Sequence, residues 1–225
     1  MDMTVSNHDA SESLSPELVL PRRPILIFQA GRGLDKHQES IKFLDDQISF
    51  LNSSAEDFIS DIELFRYLLP IHKIEKGRLS WIFVPLRDGA LAIRNYATAL
   101  QALRRKIGTV SPWLNKIDTK SVKLAETEFL KTFPFAHKFR HAVAHPEHFY
   151  DPQKNTSITK ATKIGENVFL NSEGSNVSVK QGLVGEKFFS TFGGEFIEYN
   201  ANLESSKFVA QNIAQIFSAF EKVGI

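Results

Sequence analysis

The sequence predicts a mainly α-helical protein with a small antiparallel sheet just before its last helix. Apolar residues recur every three or four positions through most of residues 35–145 and again near the C-terminus, which is the helical period. Between about 164 and 200, short apolar runs are instead separated by glycine-containing turns, a pattern typical of β-hairpins. We therefore expect a single domain over residues 25–225, an antiparallel helical bundle with a β-meander inserted at about 164–200.

Residues 1–24 are expected to form a disordered or extended tail. The first fifteen residues are polar and acidic with little to bury, and three prolines within the next nine residues exclude a helix. Gly31 and Gly33 then follow an apolar run. Because no third glycine follows at the required spacing, we interpret them as a turn that enters a helix, not as a nucleotide-binding loop.

Apolar stripes, caps and prolines together predict six helices. The first begins at Asp35 and is separated from the second by residues 52–54, where Ser54 and Asp57 resemble an N-cap and its acidic first turn. The second is expected to end at Pro70 because proline cannot donate a helix hydrogen bond. The remaining helices are expected to begin near Pro85, at Asp118 or Thr119, after Pro134 and near Leu203.

The meander is expected to contain four short strands. The clearest hairpin spans residues 188–199, where two alternating runs flank Gly193 and Gly194. Residues 152–163 are interpreted as a polar connection. The four runs lie at residues 166–171, 177–184, 187–192 and 195–200.

Composition excludes several classes of protein. The 225 residues include no cysteine, which rules out a disulfide framework, a thiolate zinc site and a cysteine nucleophile, and is consistent with a reducing cytoplasm. No apolar run approaches the length that spans a bilayer, so we expect a cytoplasmic protein without a membrane partner. The net charge of +1 argues against coating of nucleic acid by bulk charge alone.

That near-neutral total hides two segments of opposite charge. Residues 35–63 carry eight acids and two bases, a balance of −6, whereas residues 101–145 carry nine bases and three acids, a balance of +6. The simpler explanation is that two helices lie side by side and compensate each other. The functional explanation is that the basic segment meets phosphate.

The short helix at residues 135–145 has two faces of different chemistry. Arg140 and His145 flank the small Ala144, so a cation and an imidazole are expected to face outward together with room for a ligand. Pro146 ends the helix at His145, where the negative end of the helix dipole favours protonated imidazole. The predicted buried arc contains Phe135, Phe139, Ala142 and Val143, and the opposite arc contains His137, Arg140, His141, Ala144 and His145.

From Arg140 to His145 the chain has an arginine, a polar residue, three further residues and a histidine. This order resembles the signature of the HEPN (higher eukaryotes and prokaryotes nucleotide-binding) superfamily. Pro146 and the segment from Arg87 to Ala90 also resemble its uncharacterised bacterial members. The resemblance covers about residues 35–150 and the last helix, and it implies nothing about the meander. It implies a homodimer in which the two motifs line one cleft that cuts or binds RNA without metal or other cofactor.

The resemblance also implies a role for each residue of the motif. Arg140 would hold phosphate and stabilise the charge of the transition state, His145 would act as acid or base, and His141 would fill the polar second position. A defence or toxin–antitoxin setting, with a cognate antitoxin as partner, would be typical of such members. The alternative is a helical dimer without catalysis that binds a protein or a nucleotide.

A metal site is another alternative at the same segment. Histidines recur every four residues there, as in helical His-x-x-x-His sites. The glutamate that a metalloprotease needs inside the motif is absent, and His145 is expected to be turned away by Pro146. The residues that could contribute ligands are His137, His141, His145, Glu147 and His148.

The sequence contains 19 phenylalanines, and those of the meander suggest either a protein-binding surface or, more simply, the core of the sheet against the last helix. Other enzyme classes lack a site, since the chain has no nucleophile elbow, no Walker lysine loop and no convincing carboxylate pair. Asp57 and Asp61 are interpreted as helix surface and caps. The phenylalanines in question are Phe169, Phe188, Phe189, Phe192 and Phe196.

Overall fold

The structure is a computed structural model. It consists of helices and a small three-stranded antiparallel sheet that precedes the last helix, which confirms the predicted fold class. The helices are α1 (Gln38–Ile74), α2 (Leu79–Ile107), α3 (Thr119–Thr132), α4 (Phe139–Ala144) and α5 (Leu203–Ser218), with a 3₁₀ turn at Ala136–Lys138. The strands are β1 (Thr162–Lys163), β2 (Phe169–Leu170), β3 (Gly182–Val184), β4 (Lys187–Phe192) and β5 (Glu195–Asn200). The structure describes residues 18, 20–24, 38–74, 79–109, 116–144, 162–163, 169–170 and 177–222.

The two helices predicted between Asp35 and Pro70 are one helix of 37 residues, so the predicted break at residues 52–54 is wrong. The apolar stripe continues through the polar residues, with Leu51, Ala55 and Phe58 all buried at helical spacing. Burial of this continuous face outweighs the local preference of Asn and Ser for turns.

Both prolines expected to bound helices lie inside them instead. Pro70 lies in the last turns of α1, and Pro85 is the seventh residue of α2, which begins at Leu79. Pro85 is buried between Ile82 and Leu86 of the same stripe. Packing of that stripe on α1 stabilises the helical path despite the missing N–H.

The start of α3 agrees with prediction in detail. Asp118 is its N-cap, and its carboxylate accepts hydrogen bonds from the backbone N–H groups of Lys120 and Ser121, each at 3.1 Å. Such bonds satisfy donors that a helix end leaves unpaired.

The predicted hairpin is confirmed. Strands β4 and β5 pair antiparallel with Phe188 opposite Tyr199, and β3 adds to the other edge of β4. Gly193 and Gly194 both have positive φ, at 59° and 75°, as a two-residue turn between such strands requires. The first run of the expected meander differs, because β2 pairs with β1 in a separate two-stranded sheet that includes part of the supposed polar connection.

Buried side chains join the sheet and the helices into one core. The Tyr199 ring lies 6.1 Å from Phe58 of α1 and 5.5 Å from Phe139 of α4, and its hydroxyl donates to the carbonyl oxygen of Leu86 at 2.6 Å. The inner face of the sheet therefore packs on α1, α2 and α4, not on the last helix alone as expected. Phe188 and Phe189 are buried rather than exposed.

The last helix is held by a buried polar residue. The Asn212 side chain of α5 accepts from the Tyr96 hydroxyl of α2 at 2.8 Å and donates to the Ala125 carbonyl of α3 at 2.9 Å. Because both partners are buried, this bridge fixes the relative position of three helices. None of the helices in the described ranges is long and apolar enough to cross a bilayer.

Candidate functional site

Helix α4 has the two faces that its periodicity predicts. Phe139, Ala142 and Val143 are buried against the core, whereas Arg140 and the described residues that share its arc are exposed. The 3₁₀ turn that precedes α4 also buries Ala136. The other exposed residues of the segment are His137, His141 and Ala144.

Arg140 projects from the exposed face of α4. Among the described residues, no hydrogen bond or ion pair engages its guanidinium. An arginine in this state keeps all five N–H donors available to a planar anion such as phosphate or carboxylate.

His141 is held against the sheet. Its ring stacks on Phe192 of β4, with the centroids 5.5 Å apart and the planes only 13° from parallel. The contact fixes the imidazole beside Arg140 while leaving its outer side exposed. His141, the polar second residue of the predicted motif, therefore also packs between α4 and β4.

An ion pair between Lys138 and Glu195 joins the same segment to the hairpin. Glu195 is the first residue of β5, directly after the glycine turn, and both side chains are about half exposed. Together with the His141 stack, this pair joins α4 to the hairpin on the residues that flank Arg140.

His145, which the sequence pairs with Arg140, lies outside the described residues, as do Pro146, Glu147 and His148. The pairing of Arg140 with His145 therefore stays a prediction. Within the described residues, no group of three histidine or carboxylate side chains could hold a metal ion. Of the suggested ligands, His137 and His141 are described, and both are exposed.

Sequence reasoning missed a cluster of carboxylates between α1 and α2. Asp61 is partly buried, and its pKa is raised to about 7, first by burial and then by the negative charges of Asp88 and Asp57. Gly89 permits this close approach, because a Cβ there would lie 3.1 Å from the Tyr199 hydroxyl and 3.6 Å from the Asp61 Cβ. Burial, and then the charges of Asp61 and Asp88, also raise the pKa of Tyr199.

The only sequence signal for this cluster was the i, i+4 spacing of Asp57 and Asp61, which is also typical of a solvated helix face. Nothing local indicates that α2 would bring Asp88 opposite them. The assignment of Asp61 to the helix surface is thus incomplete, because the packing of α2 on α1 partly buries it.

The chain was compared with protein-family models, curated proteins and solved structures. None matches. The likeness to the HEPN superfamily accordingly rests on the motif from Arg140 to His145 and its helical setting, and the function it implies is a proposal.

Proposed function

We propose that the protein is a metal-independent ribonuclease or RNA-binding protein that acts as a homodimer through Arg140 and His145. The observation that carries the proposal is the exposed guanidinium of Arg140, unpaired within the described residues, on the face of α4 opposite its buried side. A surface arginine on a helix that packs on the core can offer its planar guanidinium to an anionic ligand.

The chemistry requires no cofactor. The 2′-hydroxyl of RNA attacks the adjacent phosphorus, the bond from phosphorus to the 5′ oxygen breaks, and the products are a 2′,3′-cyclic phosphate and a 5′-hydroxyl. Arg140 would stabilise the extra negative charge on the phosphate oxygens, and His145 would move the proton at the attacking or the leaving oxygen.

Exposed apolar side chains on α1 and α2 support the proposed dimer. Tyr67 near the end of α1 and Trp81 at the start of α2 are 69% and 67% exposed, and Leu64 and Ile71 add to the patch from α1. Trp81 lies five residues before Leu86 in α2. The Tyr199 hydroxyl donates to the Leu86 carbonyl, and the Tyr199 ring contacts Phe139, the residue before Arg140. Large exposed apolar side chains of this kind are typical of surfaces that pair with a second copy.

The test is incubation of purified protein with total RNA in EDTA, beside Arg140→Ala and His145→Ala. We expect cleavage by the native protein, products ending in cyclic phosphate, and a loss of about 100-fold or more in each variant, because each removes one group needed in the transition state. Lys163→Ala is the matched control, since Lys163 is an exposed cation on β1 and not part of the motif.

Cleavage that survives in both variants would refute the assigned residues, and cleavage abolished by EDTA would refute metal independence. Binding of RNA without cleavage, weakened by Arg140→Ala, would retain the RNA-binding form of the proposal. A toxin–antitoxin role predicts in addition that expression arrests growth and that a partner protein relieves the arrest.

The second candidate function is a dimeric binding module without catalysis. The exposed aromatic side chains of Tyr67 and Trp81 favour it, because large apolar groups at such exposure are typical of interaction surfaces. In that case Arg140→Ala and His145→Ala would leave partner binding unchanged, while substitution of Trp81 would abolish it.

A further inference from the structure

The sheet meets the helices at a contact that is centred on Tyr199 of β5. The Tyr199 ring lies 5.5 Å from the Phe139 ring of α4 and 6.1 Å from the Phe58 ring of α1. The Tyr199 hydroxyl donates to the Leu86 carbonyl oxygen of α2 at 2.6 Å. One buried side chain of the sheet thus contacts α1, α2 and α4.

Asp61 of α1 lies at the same contact, and a glycine of α2 permits this approach. A Cβ at Gly89 would lie 3.1 Å from the Tyr199 hydroxyl oxygen and 3.6 Å from the Asp61 Cβ. Because glycine has no side chain, the acid of α1 and the phenol of β5 both reach the backbone of α2 at this point. We call the contact of Asp61, Gly89 and Tyr199 the sheet–helix joint.

The charged groups that act on Asp61 at the joint are negative. Helix α1 contributes Asp57, α2 contributes Asp88, and β5 contributes the neutral phenol of Tyr199. Helix α4 contributes the apolar ring of Phe139. Burial and then the two carboxylates raise the pKa of Asp61 to about 7, and no cation of the described residues counters them. An ionised Asp61 is therefore an uncompensated charge at a partly buried contact.

Ionisation of Asp61 weakens the joint for two physical reasons. The carboxylate loses part of its hydration because the site is partly buried, and it is repelled by Asp57 and Asp88. Movement of the sheet away from α1 and α2 relieves the loss of hydration, since it removes the Tyr199 side chain and admits water. Protonated Asp61 carries neither cost.

The turn end of the same hairpin contacts α4. Phe192 of β4 stacks on His141, and Glu195 of β5 pairs with Lys138. A change in how the hairpin docks on the helices therefore reaches the two residues that contact it on either side of Arg140.

We propose that Asp61 makes the docking of the sheet on the helices depend on pH, with the protonated acid favouring the docked hairpin and the carboxylate favouring its release. The sign follows from linkage, because the docked state binds a proton that the released state gives up. Release becomes easier as the pH rises from 3.8, the ordinary pKa of an aspartic acid, to about 7, and it changes little at higher pH. This device does not require that the protein be a ribonuclease.

The experiment uses a single buried thiol as a reporter, which is possible because the chain contains no cysteine. Ala201→Cys places the thiol directly after β5, and Ala125→Cys places it in α3. Both alanines are 0% exposed. The measurement is the rate at which a dithiodipyridine reagent modifies each thiol from pH 5 to pH 8, divided by the rate for the urea-unfolded chain at the same pH.

We expect the thiol of Ala201→Cys to react faster than that of Ala125→Cys and with a weaker dependence on urea. Release of the sheet exposes less surface than global unfolding, which is the reason for the weaker dependence. The normalised rate for Ala201→Cys is expected to rise about tenfold or more from pH 5 to pH 7.5.

Asp61→Asn, combined with Ala201→Cys, is expected to remove this rise, because asparagine keeps the shape of the protonated acid and cannot ionise. The matched control is Asp46→Asn in the same background, since Asp46 is exposed on α1 and does not act on the pKa of Asp61. We expect the control to retain the rise. A thermal melt verifies that each variant is folded.

Equal rates and equal urea dependence at the two thiols would overturn the proposal, because the joint would then open only when the whole protein unfolds. A rise with pH that persists in Asp61→Asn would overturn it as well. Neither measurement involves RNA, so a negative cleavage assay and a negative result here are independent.

Discussion

At the scale of single residues, Asp61 shows how packing changes chemistry. Its carboxyl is partly buried and lies near the negative charges of Asp88 and Asp57, and no cation offsets these effects on its pKa. Burial and like charge both favour the neutral acid, and therefore the folded protein binds a proton at Asp61 that the unfolded chain releases.

The linkage gives a definite sign. The pKa of Asp61 is about 7 in the folded protein and 3.8 in the unfolded reference, so between these values the native state holds more protons and its stability falls as the pH rises. Asp61→Asn keeps the shape and removes the titration. After allowance for screening by solvent, we expect the variant to be more stable than the native protein by about 1–2 kcal/mol at pH 8, and by little at pH 4.

The measurement is urea unfolding of both proteins from pH 4 to pH 8, with Asp46→Asn at an exposed position of α1 as the control. A difference between native and Asp61→Asn that does not grow with pH would contradict the assignment of the raised pKa.

At the scale of elements, the hairpin of β4 and β5 is specified by its turn. Gly193 and Gly194 adopt positive φ, and nothing lies within 4 Å of a Cβ placed at Gly193. A substitution there would thus meet backbone strain but no steric clash. The hairpin matters for the site because Phe192 and Glu195, on either side of the turn, hold His141 and Lys138.

Gly193→Ala is expected to lower the free energy of unfolding by about 1 kcal/mol, because an L-residue other than Asn or Asp is disfavoured at positive φ. Gly193→Asn should cost clearly less. Thermal unfolding of the three proteins checks this, and we expect the midpoint to be highest for the native protein, lower for Gly193→Asn and lowest for Gly193→Ala. A Gly193→Ala variant as stable as the native protein would show that the turn is not strained.

At the scale of the whole molecule, the apolar patch of α1 and α2 and a cavity between α2 and α3 lie toward opposite ends of α2. Trp81 is the third residue of that helix, and Arg104 lies in its last turn. One end thus exposes large apolar side chains, and the other carries a cavity lined in part by Arg104, Lys120 and Lys123. The helical bundle keeps them about 35 Å apart along the α2 axis.

If the chain dimerises through the patch, Tyr67→Ser/Trp81→Ser is expected to convert the dimer to a monomer without lowering its thermal midpoint. Both side chains are more than two-thirds exposed, so their removal costs the monomer little. Sedimentation at micromolar concentration distinguishes the outcomes. A variant that remains dimeric would place the interface elsewhere, and a native protein that is monomeric would refute the dimer.

Local patterns in the sequence determined the fold class, the cap at Asp118, the glycine turn and the exposed position of Arg140 on α4. Each of these depends on the spacing of a few neighbouring residues, and such short-range preferences can be read directly. The same preferences misplaced the ends of α1 and α2, because continuous burial outweighed the local effects of Asn52 to Ser54 and of two prolines.

Only the tertiary structure decided the environment of Asp61, the stacking of His141 on Phe192 and the cavity that Arg104 forms with Lys120 and Lys123. These groups are far apart in sequence or belong to different elements, and their proximity follows from how helices pack on one another and on the sheet. Desolvation and charge coupling depend on distances across those contacts, which no periodicity along the chain encodes.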